Sequence, residues 1–217
     1  MSFALDLHTH SIGSTDGGLT LDDYQSALSG GLHYIAITDH DTIKTAQDFK
    51  AKLGASIIVG QEITTLEGEI IGLFLSKRVQ PGRSAQQTVA DIKSQGGLVY
   101  IPHPFETVRK GLTKDVLDSI SENVDVIETF NGRAFFQNRG PDALTWARLH
   151  RKASCSSSDA HGRQGLGKVF TTVSEEPQAD TLVSLLQTAR LTTARPGLRA
   201  LLYPKLNRFR GKIVKRL

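Results

Sequence analysis

Five of the seven histidines in this 217-residue chain fall at or just past the end of a β-rich run. They are His8, His10, His40, His103 and His161. The β-rich runs are read at residues 3–8, 34–38, 56–65, 69–75, 98–101, 124–130, 152–157 and 169–173. Helical stretches separate most of them, at 21–31, 42–53, 84–95, 116–121, 141–151 and 178–188. Thr20 with Asp23 three residues on is a capping box for the first helix, and Gly30-Gly31 ends it. Glu67-Gly68 reads as the turn of a hairpin between the third and fourth runs. Strands alternating with helices imply βαβ units and a parallel sheet, either an open doubly wound sheet or a barrel. Polar groups gathered at the C-terminal ends of several different strands are the pattern of a barrel.

Carboxylates occupy comparable places. Asp16 follows the first strand, Glu62 lies in the third, Glu128 lies in the run 126–131, and Asp159 precedes His161 by two. Residues i and i+2 of an extended segment point the same way, so His8 and His10 face one site, as do Asp159 and His161. Asp39 and His40 are neighbours and cannot both point inward, which makes His40 the ligand and Asp39 a group that fixes the turn. Imidazole and carboxylate without thiolate suit zinc, manganese or iron and disfavour calcium. The single cysteine, Cys155, excludes a disulfide framework and a thiolate cluster within one chain. Nine candidate ligands exceed the three that one open catalytic zinc takes from a protein, and suffice for two or three ions sharing carboxylates. Such clusters activate water and clamp the oxygens around phosphorus, so phosphoester hydrolysis is the leading chemistry. Any one of these residues alone has a structural explanation; their recurrence at strand ends does not, because unpaired buried charge is strongly disfavoured.

The chain resembles the polymerase and histidinol phosphatase (PHP) superfamily. The resemblance rests on Asp6-Leu7-His8-Thr9-His10-Ser11, Ile37-Thr38-Asp39-His40-Asp41-Thr42, Gly60-Gln61-Glu62-Ile63, Ile101-Pro102-His103-Pro104, Glu128-Thr129-Phe130-Asn131 and Ser158-Asp159-Ala160-His161. It implies an α/β fold, a distorted seven-stranded β/α TIM-like barrel with its metal site at the C-terminal ends of the strands. It further implies that His8, His10, Glu62 and Asp159 hold one ion and that Glu62 bridges to a second held by His103 and Glu128. Asp16, His40 and His161 form the third set. Polymerase modules are lacking, so the likeness is to the compact stand-alone metal-dependent phosphoesterases.

The expected reaction is attack of a metal-activated hydroxide on the phosphorus of a phosphorylated small molecule or nucleotide, with two or three divalent ions as cofactors. Asp159, His40 and His161 are the expected catalytic groups, the two histidines assisting the leaving group. Phosphate calls for a cation, preferably arginine. Arg133 and then Arg109 follow strand ends that carry candidate ligands, with Arg139 and Arg163 in neighbouring loops. An exonuclease on single-stranded DNA or RNA is the alternative; a non-catalytic metal-stabilised binding module and a metal-dependent amidohydrolase rank below it. His33, His150 and Trp146, in or beside helices, are expected to be structural, and Cys155 to pack as a small apolar residue.

The overall charge of +4 is an average over two unlike parts. Nine of the 26 lysines and arginines lie in residues 190–217, leaving 17 against 22 acidic residues, a body of net charge −5. The expected division is therefore a barrel over 1–189 and a basic amphipathic tail over 190–217. In the tail Leu198, Leu201, Leu202, Leu206, Phe209, Ile213 and Leu217 recur at steps of three or four, interrupted by Pro204 and Gly211. Such a helix would pack its stripe on the barrel, with a single-stranded nucleic-acid-binding arm or contact with an anionic membrane surface as alternatives. With no signal peptide and no apolar run of membrane-spanning length, a cytoplasmic location is expected.

Overall fold

The hydrophobic pattern that separates strands from helices is realised in a computed structural model that describes residues 2–135, 137–195 and 197–214. The strands are β1 (Phe3–Thr9), β2 (Tyr34–Ile37), β3 (Ile57–Thr64), β4 (Glu69–Leu73), β5 (Leu98–Ile101), β6 (Val126–Asn131), β7 (Ala153–Ser157), β8 (Phe170–Val173) and β9 (Arg190–Thr192). The helices are α1 (Leu21–Ser29), α2 (Lys44–Leu53), α3 (Ala85–Lys93), α4 (Lys114–Ser119), α5 (Gly140–Leu149), α6 (Leu182–Leu186) and α7 (Leu198–Val214). Thr20 caps α1 with the expected capping box, and Ser84 caps α3 in the same way with Gln87.

The strands form one sheet in the order β7-β6-β5-β4-β3-β2-β1-β8-β9. Strands β1–β3 and β5–β7 run parallel, whereas β4 is antiparallel to both of its neighbours. The sheet bends until its two ends nearly meet. Thr9 pairs with Ala160 just beyond β7, and His10 N donates to Ala160 O at 2.9 Å. The result is a nearly closed, barrel-like sheet of nine strands rather than a plain ring of seven β/α units. Of the two additional strands, β8 pairs antiparallel with β1 and β9 antiparallel with β8, and Ser156 N donates to Thr171 Oγ1 at 2.9 Å across the seam. The expected start of the tail at residue 190 thus coincides with strand β9.

Period-2 alternation sorts the strand residues into two cores. Ile35, Ile57, Val99 and Ile127 face outward against Phe49, Ile92, Leu117 and Trp146 of the helices. Leu5, Leu7, Ile58, Leu73, Leu98, Val126 and Cys155 face inward. Each fully buried leucine or isoleucine contributes on the order of 1.5–3 kcal/mol. Along the inner face the character changes with height. Ile58 is followed two residues on by Gly60 and then by Glu62, Val126 by Glu128, and Cys155 by Ser157. One end of the barrel is hydrocarbon and the other is lined with acids and imidazoles.

The tail departs from expectation. Helix α7 runs unbroken through Pro204 and Gly211. The missing Pro204 N–H forfeits one helical bond, and its ring is buried. Of the proposed stripe, Leu201 is half-buried against the cavity at the barrel mouth, whereas Leu202, Leu206 and Phe209 are 52%, 51% and 65% exposed and do not pack on the barrel. Leu217 and the side chains of Leu198 and Ile213 lie outside the described residues. Among the described residues no helix is long and apolar enough to cross a membrane.

Candidate metal centre

The polar end of the barrel is built by strand ends that turn abruptly. In β1 the register slips between Asp6 and Thr9, an irregularity that re-aims side chains. Leu7 stays in the inner core while His8 and His10 reach one centre, with Nε2 atoms 3.1 Å apart. A second slip in β6, between Glu128 and Phe130, lets Glu128 and Asn131 both point inward. Their side chains meet, Asn131 Nδ2 donating to Glu128 Oε2 at 2.8 Å. His103 and Asp159 adopt left-handed backbone, with φ of 29° and 50°, a strained conformation for residues with a Cβ.

Glu62 stands at the middle. Its Oε2 lies 3.2 Å from His10 Nε2, 3.3 Å from His40 Nδ1 and 3.5 Å from His8 Nε2. Its Oε1 lies 3.2 Å from His103 Nε2. Asp159 Oδ1 lies 3.5 Å from His10 Nε2 and 3.3 Å from His161 Nδ1. The His10 ring stacks between those of His40 and His161, at centroid distances of 4.7 and 4.1 Å. Asp16 Oδ1 approaches His161 Nε2 at 3.6 Å and His40 Nε2 at 3.7 Å.

All nine expected ligands converge here, in groupings that differ somewhat from the implied ones. His8, His10 and Glu62 form one close set, and His8, His103 and Asp159 another. Asp16, His40 and His161 come together with His10 as a fourth member. Glu128 belongs to none of these sets. Its Oε1 meets His8 Nδ1 at 3.1 Å and accepts from Tyr100 at 2.7 Å, and its Oε2 accepts from His103 N at 2.7 Å. It orients the His8 ring. Glu69, which was not among the expected residues, joins His40 and Glu62 in a further set.

The electrostatics follow from this crowding. Burial alone would raise the Asp159 carboxyl, but Arg133, His8, His161 and Arg109 outweigh it and hold it well below the usual range. Glu62 is likewise held down, against burial, by His40, His8, His10 and His103. Burial, with His10 and Arg133, pushes His161 down to about 3, so its imidazole stays neutral, the form that binds a metal. Burial and the Glu62 carboxylate push Glu69 up to about 9. Beneath the cluster, burial raises Asp6 to about 7 although Ser158 N donates to it at 3.0 Å. Asp39 accepts from Ser11 N at 2.6 Å and from Ser11 Oγ at 2.5 Å, fixing the turn before His40.

These residues fit divalent cations. The donors are imidazoles and carboxylates in buried sets with ligand atoms within 4.8 Å of one another. Two buried atoms, Asp16 Oδ1 and His103 Nδ1, have no hydrogen-bond partner among the described residues. The cluster opens into a cavity of about 570 Å³, whose wall also carries Arg109, Lys110, Arg133, Lys205 and Arg208. Arg109 is nearly spent. It is held by Glu106 at 2.6–2.9 Å and by Asp159 at 2.8 Å. Arg133 is looser, with its nearest carboxylate contact, Asp159, at 3.3 Å. Arg139 pairs instead with Asp142 on α5, and Arg163 is an exposed residue that does not line the cavity.

The remaining candidates are outside the cluster. His33 Nδ1 accepts from Ala4 N at 3.1 Å, and His150 stacks on Trp146 at 4.0 Å. Trp146 is buried and donates to Asp118 at 2.7 Å. Cys155 is buried, and burial raises its thiol far above the ordinary range.

Comparison with known proteins places these features in a wider group. Residues 141–191, the segment from α5 to β9 that carries Asp159 and His161, match the PHP-associated family model. An uncharacterized protein of Methanocaldococcus jannaschii, MJ1587, is 37% identical over 132 residues, 59% of this chain and 77% of its own length. A two-domain protein of Bacteroides vulgatus containing a predicted PHP-like metal-dependent phosphoesterase superposes with a TM-score of 0.70. That match is 21% identical and covers 96% of this chain and 70% of the other. The lesion-specific endonuclease EndoQ of Pyrococcus furiosus superposes with a TM-score of 0.65 at 16% identity, covering 88% and 58%. The matched C-terminal segment, the 37% identical relative and the shared barrel agree with the order of the sequence motifs, and the chain belongs to the PHP superfamily.

Proposed function

We propose that this protein is a metal-dependent phosphoesterase acting on a phosphorylated small molecule or nucleotide. One observation carries the reading. The imidazole and carboxylate cluster and a set of arginines and lysines line the same cavity. The first set suits two or three divalent ions, zinc, manganese or iron, and the second suits the anionic group that such ions act upon. The PHP-like phosphoesterase from Bacteroides vulgatus, with the same fold, supports that chemistry.

His8, His10, Glu62, His103 and Asp159 would hold ions at the centre, and Asp16, His40 and His161 would hold one at the rim. Bound divalent ions would supply an activated water and neutralise charge building at phosphorus. The chain's own residues do the rest. Arg133, close to the cluster and only partly engaged, binds a phosphoryl oxygen. His40, with a quarter of its side chain exposed, is the most solvent-accessible imidazole of the cluster, and would assist the leaving oxygen only when it is not holding the rim ion. Asp159, held ionised, anchors Arg133 and His161 around the reacting centre. The same cavity is walled by Leu201, Pro204 and Lys205 of α7, which favours a compact monoester over a long strand.

The test is one activity screen of manganese- or zinc-loaded protein over phosphomonoesters, phosphodiesters and end-labelled oligonucleotides. Turnover of a monoester, lost with chelator and restored by metal, is the expected result. Release of single nucleotides from an oligonucleotide end would replace this reading with the exonuclease. Metal-loaded protein inert toward the whole panel would overturn both.

A further inference from the structure

We infer that the C-terminal helix α7 is a built part of the rim cation subsite, with Asn207 and Arg208 as positioning residues for its ligands Asp16 and His161; the inference rests on the metal-centre reading above. The Asn207 side-chain amide donates to the backbone carbonyl of Asp16 at 2.9 Å and to that of His161 at 3.0 Å. One NH₂ group thus ties together two ligand loops that lie far apart along the chain. The next residue, Arg208, donates from Nη2 to Asp16 Oδ2 at 2.6 Å. With Oδ2 occupied, the carboxylate presents only Oδ1 to the subsite. That atom is buried, has no hydrogen-bond partner among the described residues, and lies 3.6–3.7 Å from the His161 and His40 Nε2 atoms. Arg208 therefore fixes which oxygen is offered to an ion, as outer partners of ligating carboxylates do.

The seat for the helix is shaped in the backbone. A Cβ at Gly18, two residues after Asp16, would come within 2.7 Å of the Asn207 amide nitrogen. A Cβ at Gly162, directly after His161, would come within 2.5 Å of the Tyr203 ring. Close approach of α7 thus uses a glycine beside each ligand. The helix brings Leu201 and Pro204 to the cavity wall together with these polar bonds, while Leu202, Leu206 and Phe209 face solvent. An ordinary terminal helix would be seated by its apolar stripe. This one is held at the mouth by bonds to two ligand residues, so its docking and the geometry of the subsite are one equilibrium.

The test titrates metal-free full-length protein with Mn²⁺ alone, following bound ion by electron paramagnetic resonance and calorimetry. Asn207→Ala and Arg208→Ala are expected to weaken one Mn²⁺ site by about 10- to 100-fold while the others keep their affinity. Arg208→Lys recovers part of the loss, and Leu206→Ser on the outer face changes nothing. Gly18→Ala gives the same weakening by displacing the Asn207 amide, which keeps the test open if an α7 variant folds poorly. Variants that lower thermal stability yet bind Mn²⁺ with unchanged number and affinity would reduce α7 to a packing element and overturn the inference. Wild-type protein that binds no Mn²⁺ would overturn the metal centre itself, and the inference with it.

Discussion

Arg109 donates from Nη1 to Asp159 Oδ2 at 2.8 Å, and its remaining nitrogens are held by Glu106. The guanidinium is only 12% exposed and neutralises two buried carboxylates. Removing it leaves Glu106 without its cation and Asp159 with only the longer contacts to Arg133 and the histidines. Arg109→Ala is expected to cost the metal-free protein about 3–5 kcal/mol, read from the midpoint of urea unfolding. A loss under about 1 kcal/mol would show that the pair behaves as a surface ion pair.

Arg133 should respond differently, because its contacts with Asp159 and His161 are longer, at 3.3 Å. Arg133→Ala is expected to raise KM for a phosphoester, or weaken inorganic phosphate binding, by about 10- to 100-fold, the worth of a hydrogen bond to a charged group. Stability should change little. An unchanged kcat/KM would remove Arg133 from phosphate recognition.

Glu62 is approached by His8, His10, His40 and His103, all within 3.5 Å. Glu62→Gln keeps the shape but replaces one ligating oxygen with an amide nitrogen. Bound metal per chain should fall, and activity should drop by more than about 100-fold. Elemental analysis of the purified variant beside wild type measures the first, and a rate assay the second. Full metal content with full activity would exclude a bridging role.

Asp6 gives a pH dependence whose sign is fixed. Its carboxyl is raised from 3.8 to about 7 in the fold by burial. Between those values the folded chain holds a proton that the unfolded chain has lost, so stability falls as pH rises and levels off above about 7. The loss amounts to a few kcal/mol, accumulating at about 1.4 kcal/mol for each step of one in pH. Asp6→Asn removes the titration. Metal-free variant and wild type should differ least near pH 4, with the variant gaining up to about pH 7 and no further above it in thermal unfolding. Parallel stability profiles would mean that Asp6 does not titrate with folding.

The sequence carries the centre because histidine and carboxylate are rare in an inner strand face, and their spacing survives in the fold. His8 and His10 do share a site, although the slip in β1 is what lets them do so beneath an inward Leu7. Glu69 escapes that logic. Its strand runs antiparallel, so the residue at its N-terminal end arrives where its neighbours bring their C-terminal ends. Pairing Glu62 with Ile71 across the hairpin puts Glu69, two residues before Ile71, on the Glu62 face. Strand β9 is too short, at three residues, to leave a periodic signal. The seat of α7 is illegible for another reason. Its hydrophobic stripe is real in sequence, but the bonds from Asn207 and Arg208 to Asp16 and His161 join positions with no local pattern between them.

The seam between Thr9 and Ala160 also bears on when in folding the whole ligand cluster can assemble. His10 and His161 flank it, and their rings stack only once the first and seventh strands have met. Before that, Glu62 can join His8 and His10 through β1–β3, but Glu128 is still 120 residues from His8 along the chain. Contacts so distant in sequence form late and slowly. Capture of the ions that need Asp159 or His161 should therefore keep time with the longest-range step during refolding, and their release should begin wherever the seam first opens.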